Sequence, residues 1–140
     1  LHPNLVQLLD FLTTTDSVCL VVELCGAGDL LNFFHHFEPQ GLCHGDEKSV
    51  RFLMAGLTLA LEHLQGKGVV HRDVKPENIF LTEMLVPKLG DFGAAKFADE
   101  IRPSQCSPAS AAPELLAHHQ NREVPHSFPM DWWSAGVIAA

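Results

Sequence analysis

Near the start of the chain the apolar positions fall into two short runs, Leu5-Val6-Gln7-Leu8-Leu9 and Val18-Cys19-Leu20-Val21-Val22, parted by the polar stretch Thr13-Thr14-Thr15-Asp16. Two adjacent strands joined by a turn, a hairpin, is the predicted product. After Gly26-Ala27-Gly28, the segment Asp29-Leu30-Leu31-Asn32-Phe33-Phe34 sets a capping aspartate before helix-compatible residues, which predicts a short helix. Val50, Leu53, Leu57, Ala60, Leu61 and Leu64 then recur at helical spacing, so an amphipathic core helix is expected from near Asp46 to the glycines Gly66 and Gly68. Three strand-like pieces follow, Val69-Val70, Ile79-Phe80-Leu81 and Pro87-Lys88-Leu89, with polar turns between them. Residues 99 to 129 lose all periodicity and gather Pro, Ser, His and Gln, the pattern of a long functional loop.

Composition narrows the classes. With 140 residues and 46% hydrophobic content, the chain can bury one modest core. The formal charge of -8, from 17 acidic and 9 basic residues, argues against nucleic acid or an anionic lipid surface as a partner. No apolar run approaches the length of a membrane span, and no basic segment leads into an apolar one at the start. Cys19, Cys25, Cys43 and Cys106 are scattered without a CxxC pair, which fits reduced thiols in a cytoplasmic or nuclear protein. The pairs His35-His36 and His118-His119 have no ligand-spaced partners, so no metal centre is expected from them.

The chemistry is concentrated in the turns. His71-Arg72-Asp73-Val74-Lys75-Pro76-Glu77-Asn78 is followed by Asp91-Phe92-Gly93 and then by Ala112-Pro113-Glu114. Each polar residue alone would pass for a turn or a cap, but the ordered set resembles the signature of the eukaryotic protein kinases. The resemblance implies an α+β, protein-kinase-like fold seen in part. Residues 1–25 would be the end of the small lobe and the hinge, and residues 26–140 the large lobe as far as the start of its central helix.

What the family does explains the residue types. Moving a γ-phosphoryl group from ATP to a protein hydroxyl asks for positioning and charge neutralisation more than covalent help. By resemblance, Asp73 accepts the substrate hydroxyl proton and Lys75 sets an ammonium beside the transferring phosphate. Asn78 and Asp91 supply hard oxygen ligands for Mg2+. Lys75 at its position also goes with serine/threonine specificity. Val22 matches a small gatekeeper, and the backbone of Glu23 and Cys25 matches the hinge that faces adenine. Asp29 matches an acidic residue near ribose or near a basic substrate residue, and Phe80 the floor under adenine; the residues alone read equally well as an N-cap and a core aromatic. Glu77 and Asp29 together would favour a basic residue upstream of the target serine. Leu8, His71 and Phe92 match the family's stacked spine, anchored by Asp131. Arg72 would pair with a phosphorylated loop residue, with Ser104 and Ser107 as candidates that are equally ordinary loop serines.

The match has departures. Cys106 and Ser110 stand where the family commonly has glycine and tyrosine, so the pocket for the residue after the target serine is expected to depart from the family's shape. His2-Pro3-Asn4-Leu5 resembles the segment after the small-lobe helix, so the glycine-rich loop, the strand lysine and its glutamate partner are expected before Leu1, and further large-lobe helices after Ala140. A piece of this extent is expected to be marginal or aggregation-prone, with Leu57, Leu61 and Trp133 partly uncovered. The competing reading is a catalytically inactive, truncated kinase-like protein that acts as a binding or regulatory module. A third is a partial sequence that reports on a longer kinase.

Overall fold

In a computed structural model, residues 1–37, 47–100 and 128–139 are described. The predicted hairpin is present, shifted along the chain: β1 (Leu8–Thr13) pairs antiparallel with β2 (Val18–Val22). Its turn is closed by Thr14 N–H donating to Ser17 O at 2.8 Å, with the Thr14 hydroxyl accepting the Ser17 N–H at 3.1 Å. Leu8 lies opposite Val22 and Asp10 opposite Val21, so Leu9 forms a bulge near the open end of the hairpin. Every residue of both strands is exposed, including Phe11 at 61% and Leu20 at 64%. A two-stranded ribbon with no cover on its faces is marginal in water by itself.

The core is built without the hairpin. Gly28–Asp29 (β3), Ile79–Leu81 (β5) and Pro87–Leu89 (β6) form an antiparallel sheet in the order β3-β5-β6. Val69–Val70 (β4) pairs with Lys96–Phe97 (β7). Against these pack α1 (Leu30–Phe37), α2 (Glu47–Gly66) and α3 (Phe128–Ala139). The entry segment lies beside β6, with Leu89 N–H donating to Asn4 O and Val6 N–H to Leu89 O, each at 2.9 Å.

Helix α2 follows the predicted period. Leu57, Ala60, Leu61 and Leu64 are buried and meet Ile79, Leu81, Leu89 and Ala135 in one cluster. Each buried leucine contributes about 1.5–3 kcal/mol of transfer free energy. The expectation that Leu57 and Leu61 would be partly uncovered is therefore corrected, since the sheet and α3 close over them, while Trp133 is 48% exposed. Val50, expected on the buried face, is 38% exposed because it sits in the first turn, ahead of the strands that cover the rest. The helix stops where predicted: Gly68 takes φ +70 and donates to Gln65 O at 2.9 Å, a backbone conformation that suits glycine at a helix end.

Helix α3 begins at Phe128, so its first two residues, Phe128 and Pro129, fall inside the stretch expected to be irregular. The predicted features at Cys43, Ser104, Cys106, Ser107, Ser110, Glu114 and His118-His119 lie outside the described residues. Among the described residues, no helix is long and apolar enough to cross a membrane, and Cys19 and Cys25 are free thiols.

Candidate active site

The loop between β4 and β5 carries the first motif, and it is held from both ends. Val70 and Ile79 are buried in the strands that flank it, and Val74 puts its side chain into the core midway. From below, Asp131 in the first turn of α3 accepts the backbone N–H of His71 at 2.7 Å and of Arg72 at 2.8 Å. Burial pushes the Asp131 carboxyl above the ordinary aspartate value, against the opposing pull of those two N–H donors. Arg72 sits at φ 72, a left-handed conformation that costs a side-chain-bearing residue about 1–2 kcal/mol. The Asp131 clamp holds it there.

His71 is fully buried, and burial lowers its pKa against the pull of Asp131, Asp73 and Asp91. Its Nε2 lies 2.9 Å from Gly90 O, which can only accept, and its Nδ1 accepts the Asp73 N–H at 3.4 Å. These partners select the neutral Nε2–H tautomer. The ring also meets Phe92 edge-on with centroids 5.0 Å apart, joining the first motif to the second as the spine expectation had it. Leu8, the third member, is 52% exposed in the hairpin.

The expected catalytic residues converge. Lys75 Nζ reaches Asp73 Oδ2 at 2.7 Å, and Asn78 Nδ2 donates to the same oxygen at 2.9 Å and to Asp73 O at 2.8 Å. The hydrogen bond that Lys75 donates to Asp73 raises the Lys75 pKa despite the opposing effect of burial, with the charges of Asp73, Glu77 and Asp91 adding to it. Lys75 therefore stays an ammonium. Pro76 opens the short 3-10 turn Pro76–Asn78, where its missing N–H costs nothing, and the turn aims Asn78 inward. Glu77 is exposed on that turn.

Asp91 follows β6 at φ 54, a conformation aspartate tolerates, and accepts the Gly93 N–H at 3.2 Å. Gly90 before it donates to Asn78 O at 2.9 Å, which ties the two motifs together through the backbone. A side chain at Gly90 would meet Val6 Cγ2 at 2.7 Å and the Phe80 ring at 2.9 Å, so the close approach calls for glycine. The donor set fits a magnesium ion. Both Asn78 Nδ2 contacts are to oxygens, which fixes the amide orientation and makes Oδ1 the atom that could face an ion, while Asp91 is exposed. Mg2+ takes one or two protein oxygens and fills its shell with water and phosphate.

The expected adenine-side residues are divided between the end of the hairpin, the chain that leaves it, and the strands β3 and β5. Asp29 ends β3 opposite Phe80 in β5, and Phe80 lies opposite Lys88 in β6. Asp29 acts as the N-cap of α1: its Oδ1 accepts the Asn32 N–H at 2.8 Å and its Oδ2 the Asn32 side-chain amide at 2.6 Å. The Asn32 N–H holds its carboxyl below the ordinary aspartate value. Val22 ends β2 and is 48% exposed, and half-buried Cys25 accepts the Gly28 N–H at 3.1 Å. Glu23 binds Lys88 Nζ at 2.9 Å and the Gln7 N–H at 2.7 Å through its side chain. Two contributors carried little sequence signal. Lys88, a lone charge between buried Pro87 and Leu89, is one; Gln65, whose Oε1 accepts the Trp132 indole N–H at 3.1 Å and so joins α2 to α3, is the other.

Comparison with known proteins agrees with this geometry. The family model for the protein kinase domain matches residues 1–140. Hormonally up-regulated neu tumor-associated kinase homolog B of Xenopus laevis is 44% identical, covering 97% of this chain and 21% of its own length. CBL-interacting protein kinase 22 of Oryza sativa subsp. japonica is 38% identical over 98% of this chain and 31% of its own. Serine/threonine-protein kinase ULK3 of Rattus norvegicus is 37% identical over 98% of this chain and 28% of its own. The chain thus spans between 21% and 31% of the length of these relatives. On its motifs, its fold and its relatives, the chain belongs to the protein kinase family.

Proposed function

We propose that these residues are the central part of the catalytic domain of a serine/threonine kinase, which transfers the ATP γ-phosphoryl group to a protein hydroxyl. Residues 1–25 are read as the end of the small lobe and the hinge, and residues 26–140 as the large lobe up to its central helix. The observation that carries this reading is the Asp73 carboxylate held between Lys75 Nζ at 2.7 Å and Asn78 Nδ2 at 2.9 Å. Two donors on one oxygen fix the orientation of a proton acceptor, and that positioning is most of what phosphoryl transfer requires of the protein.

In this reading Asp73 accepts the hydrogen bond of the serine or threonine hydroxyl and takes its proton as oxygen bonds to the γ-phosphorus and ADP leaves. Lys75, held as a cation, faces the charge that spreads over the phosphoryl oxygens. Asn78 Oδ1 and the Asp91 carboxylate are the residues that would hold Mg2+. The ion, when bound, offsets phosphate charge. Val22, the backbone of Glu23 and Cys25, and Phe80 line the adenine end. Glu77 is exposed, and with Asp29 it supports a preference for a basic residue upstream of the target. The free thiols Cys19 and Cys25 support a reducing compartment, cytoplasmic or nuclear.

Replacing Asp73 with Asn in the full-length protein tests the assignment. Transfer to a serine peptide should fall by about 10²–10⁴-fold while ATP binding persists. A variant that kept wild-type turnover would refute the role of Asp73.

A further inference from the structure

A second charged pair joins the hinge to the strand that leads into Asp91. Lys88 Nζ lies 2.9 Å from Glu23 Oε1, across 65 positions of sequence. The same oxygen accepts the Gln7 N–H at 2.7 Å, and the Glu23 N–H donates to Gln7 O at 3.0 Å. The Lys88 and Glu23 side chains are 14% and 24% exposed, so water and salt screen the pair less than they would a surface one. Burial works against the Glu23 charge, but the Lys88 and Gln7 hydrogen bonds outweigh it and keep its pKa below the ordinary glutamate value.

The topology gives the pair its leverage. Gln7 directly follows the segment stitched to β6 by the bonds between Asn4, Val6 and Leu89. Lys88 belongs to β6, and the chain runs on through Leu89 and Gly90 to Asp91. Glu23 is therefore tied on one side to the chain entering β1 and on the other to the strand that delivers the metal-binding carboxylate. Both residues also wall a cavity of about 570 Å³, with Leu8 and Phe92 among its other walls, so the pair faces the space between the hairpin and the second motif.

We propose that Lys88 is a positioning residue for the nucleotide: through Glu23 it fixes the hinge backbone at Glu23 and Cys25 against the strand that carries Asp91, and so sets the spacing between the adenine end and the phosphate end of ATP. This rests on the kinase reading above. Lys88 touches no reacting atom. Its effect belongs to binding, because a hinge left to swing must be ordered each time a nucleotide engages both ends. A pair that only filled the surface would contribute little to anything.

The test is made in the full-length protein, with ATP binding measured by calorimetry in Mg2+ and transfer to a serine peptide with arginine upstream measured as ATP is varied. Wild type comes first: a protein that neither binds ATP nor transfers phosphate overturns the kinase reading and this proposal with it. Given an active wild type, Lys88→Met should raise the KM for ATP about three- to tenfold, leave kcat within about twofold and leave the peptide KM in place. Lys88→Arg should restore the wild-type KM. Glu23→Gln, which keeps the Gln7 acceptor but loses the charge, should give the same ATP shift, and the double variant should add nothing further. An unchanged ATP KM in Lys88→Met overturns the positioning role and leaves the kinase reading standing. Parallel losses in kcat and in both KM values, with a lowered melting temperature, reduce the pair to a structural brace.

Discussion

Asp131 Oδ1 accepts the backbone N–H of Arg72 at 2.8 Å across 59 positions of sequence, holding an arginine at φ 72 beside Asp73, the proposed proton acceptor. The other Asp131 oxygen takes the His71 N–H, so one buried carboxylate sets two consecutive peptide planes. Removing it with Asp131→Ala strands two buried N–H donors and frees Arg72 to leave its strained conformation. The expected cost is about 2–5 kcal/mol, read as a lower urea midpoint. Transfer should fall alongside it, because the plane that carries Asp73 is no longer fixed. A variant with the wild-type midpoint would show that Asp131 is not the anchor.

The charge on Glu23 makes a pH-dependent contribution with a definite sign. Its folded pKa is lowered from 4.5: burial alone would raise it, but the hydrogen bonds from Lys88 and Gln7 win. A depressed carboxyl stabilises the fold fully above its unfolded value and loses that contribution as pH falls through the folded one. The stability gap between wild type and Glu23→Gln should therefore be constant from neutral pH down to above 4.5 and shrink below it. Thermal melts from pH 7 to pH 3 measure this. A gap that grew on acidification would contradict the pairing.

Local signals carried the parts of this molecule that local chemistry decides. The period of Leu57, Ala60, Leu61 and Leu64, with Gly68 at positive φ, marked α2 and its end to within a residue. The polar motifs placed Asp73, Lys75 and Asn78 in one turn because their spacing is short enough for a turn to bring them together. Contacts between distant segments were not legible. Nothing near Glu23 announces Lys88, and nothing near Gln65 announces Trp132, because each pair is made by strands and helices meeting in space. The hairpin shows the limit from the other side: two apolar runs around a polar turn predicted its strands, yet both faces are exposed, so pattern identified the element without its cover.

Asn78 does two jobs in the proposed mechanism, and substitution should separate them. Its Nδ2 orients Asp73 through Oδ2 and the backbone oxygen, while Oδ1 is the atom offered to Mg2+. Asn78→Ala removes both, so transfer should fall by about 10²-fold or more and the Mg2+ needed for half-maximal rate should rise. Asn78→Asp keeps a ligand oxygen but sets a second carboxylate against Asp73. It should retain metal affinity better than the alanine variant while remaining slow. Equal metal requirements in wild type and both variants would remove Asn78 from the metal site.

Asp29 presents a choice between a cap and a ligand. Its two oxygens are engaged by the backbone and side chain of Asn32, which accounts for its lowered pKa and for the start of α1. It also lies opposite Phe80, at the proposed adenine end, where a carboxylate could meet ribose. Asp29→Ser keeps an N-cap acceptor and loses the charge, whereas Asp29→Ala loses both. If capping is the whole role, the alanine variant should lose about 1 kcal/mol and the serine variant almost nothing, with the KM for ATP alike in all three proteins. If the carboxylate also meets ribose, both variants should raise that KM while only alanine lowers stability. The cap is the role its hydrogen bonds display, so the expected result is a stability loss confined to Asp29→Ala, and a raised ATP KM in the serine variant would overturn it.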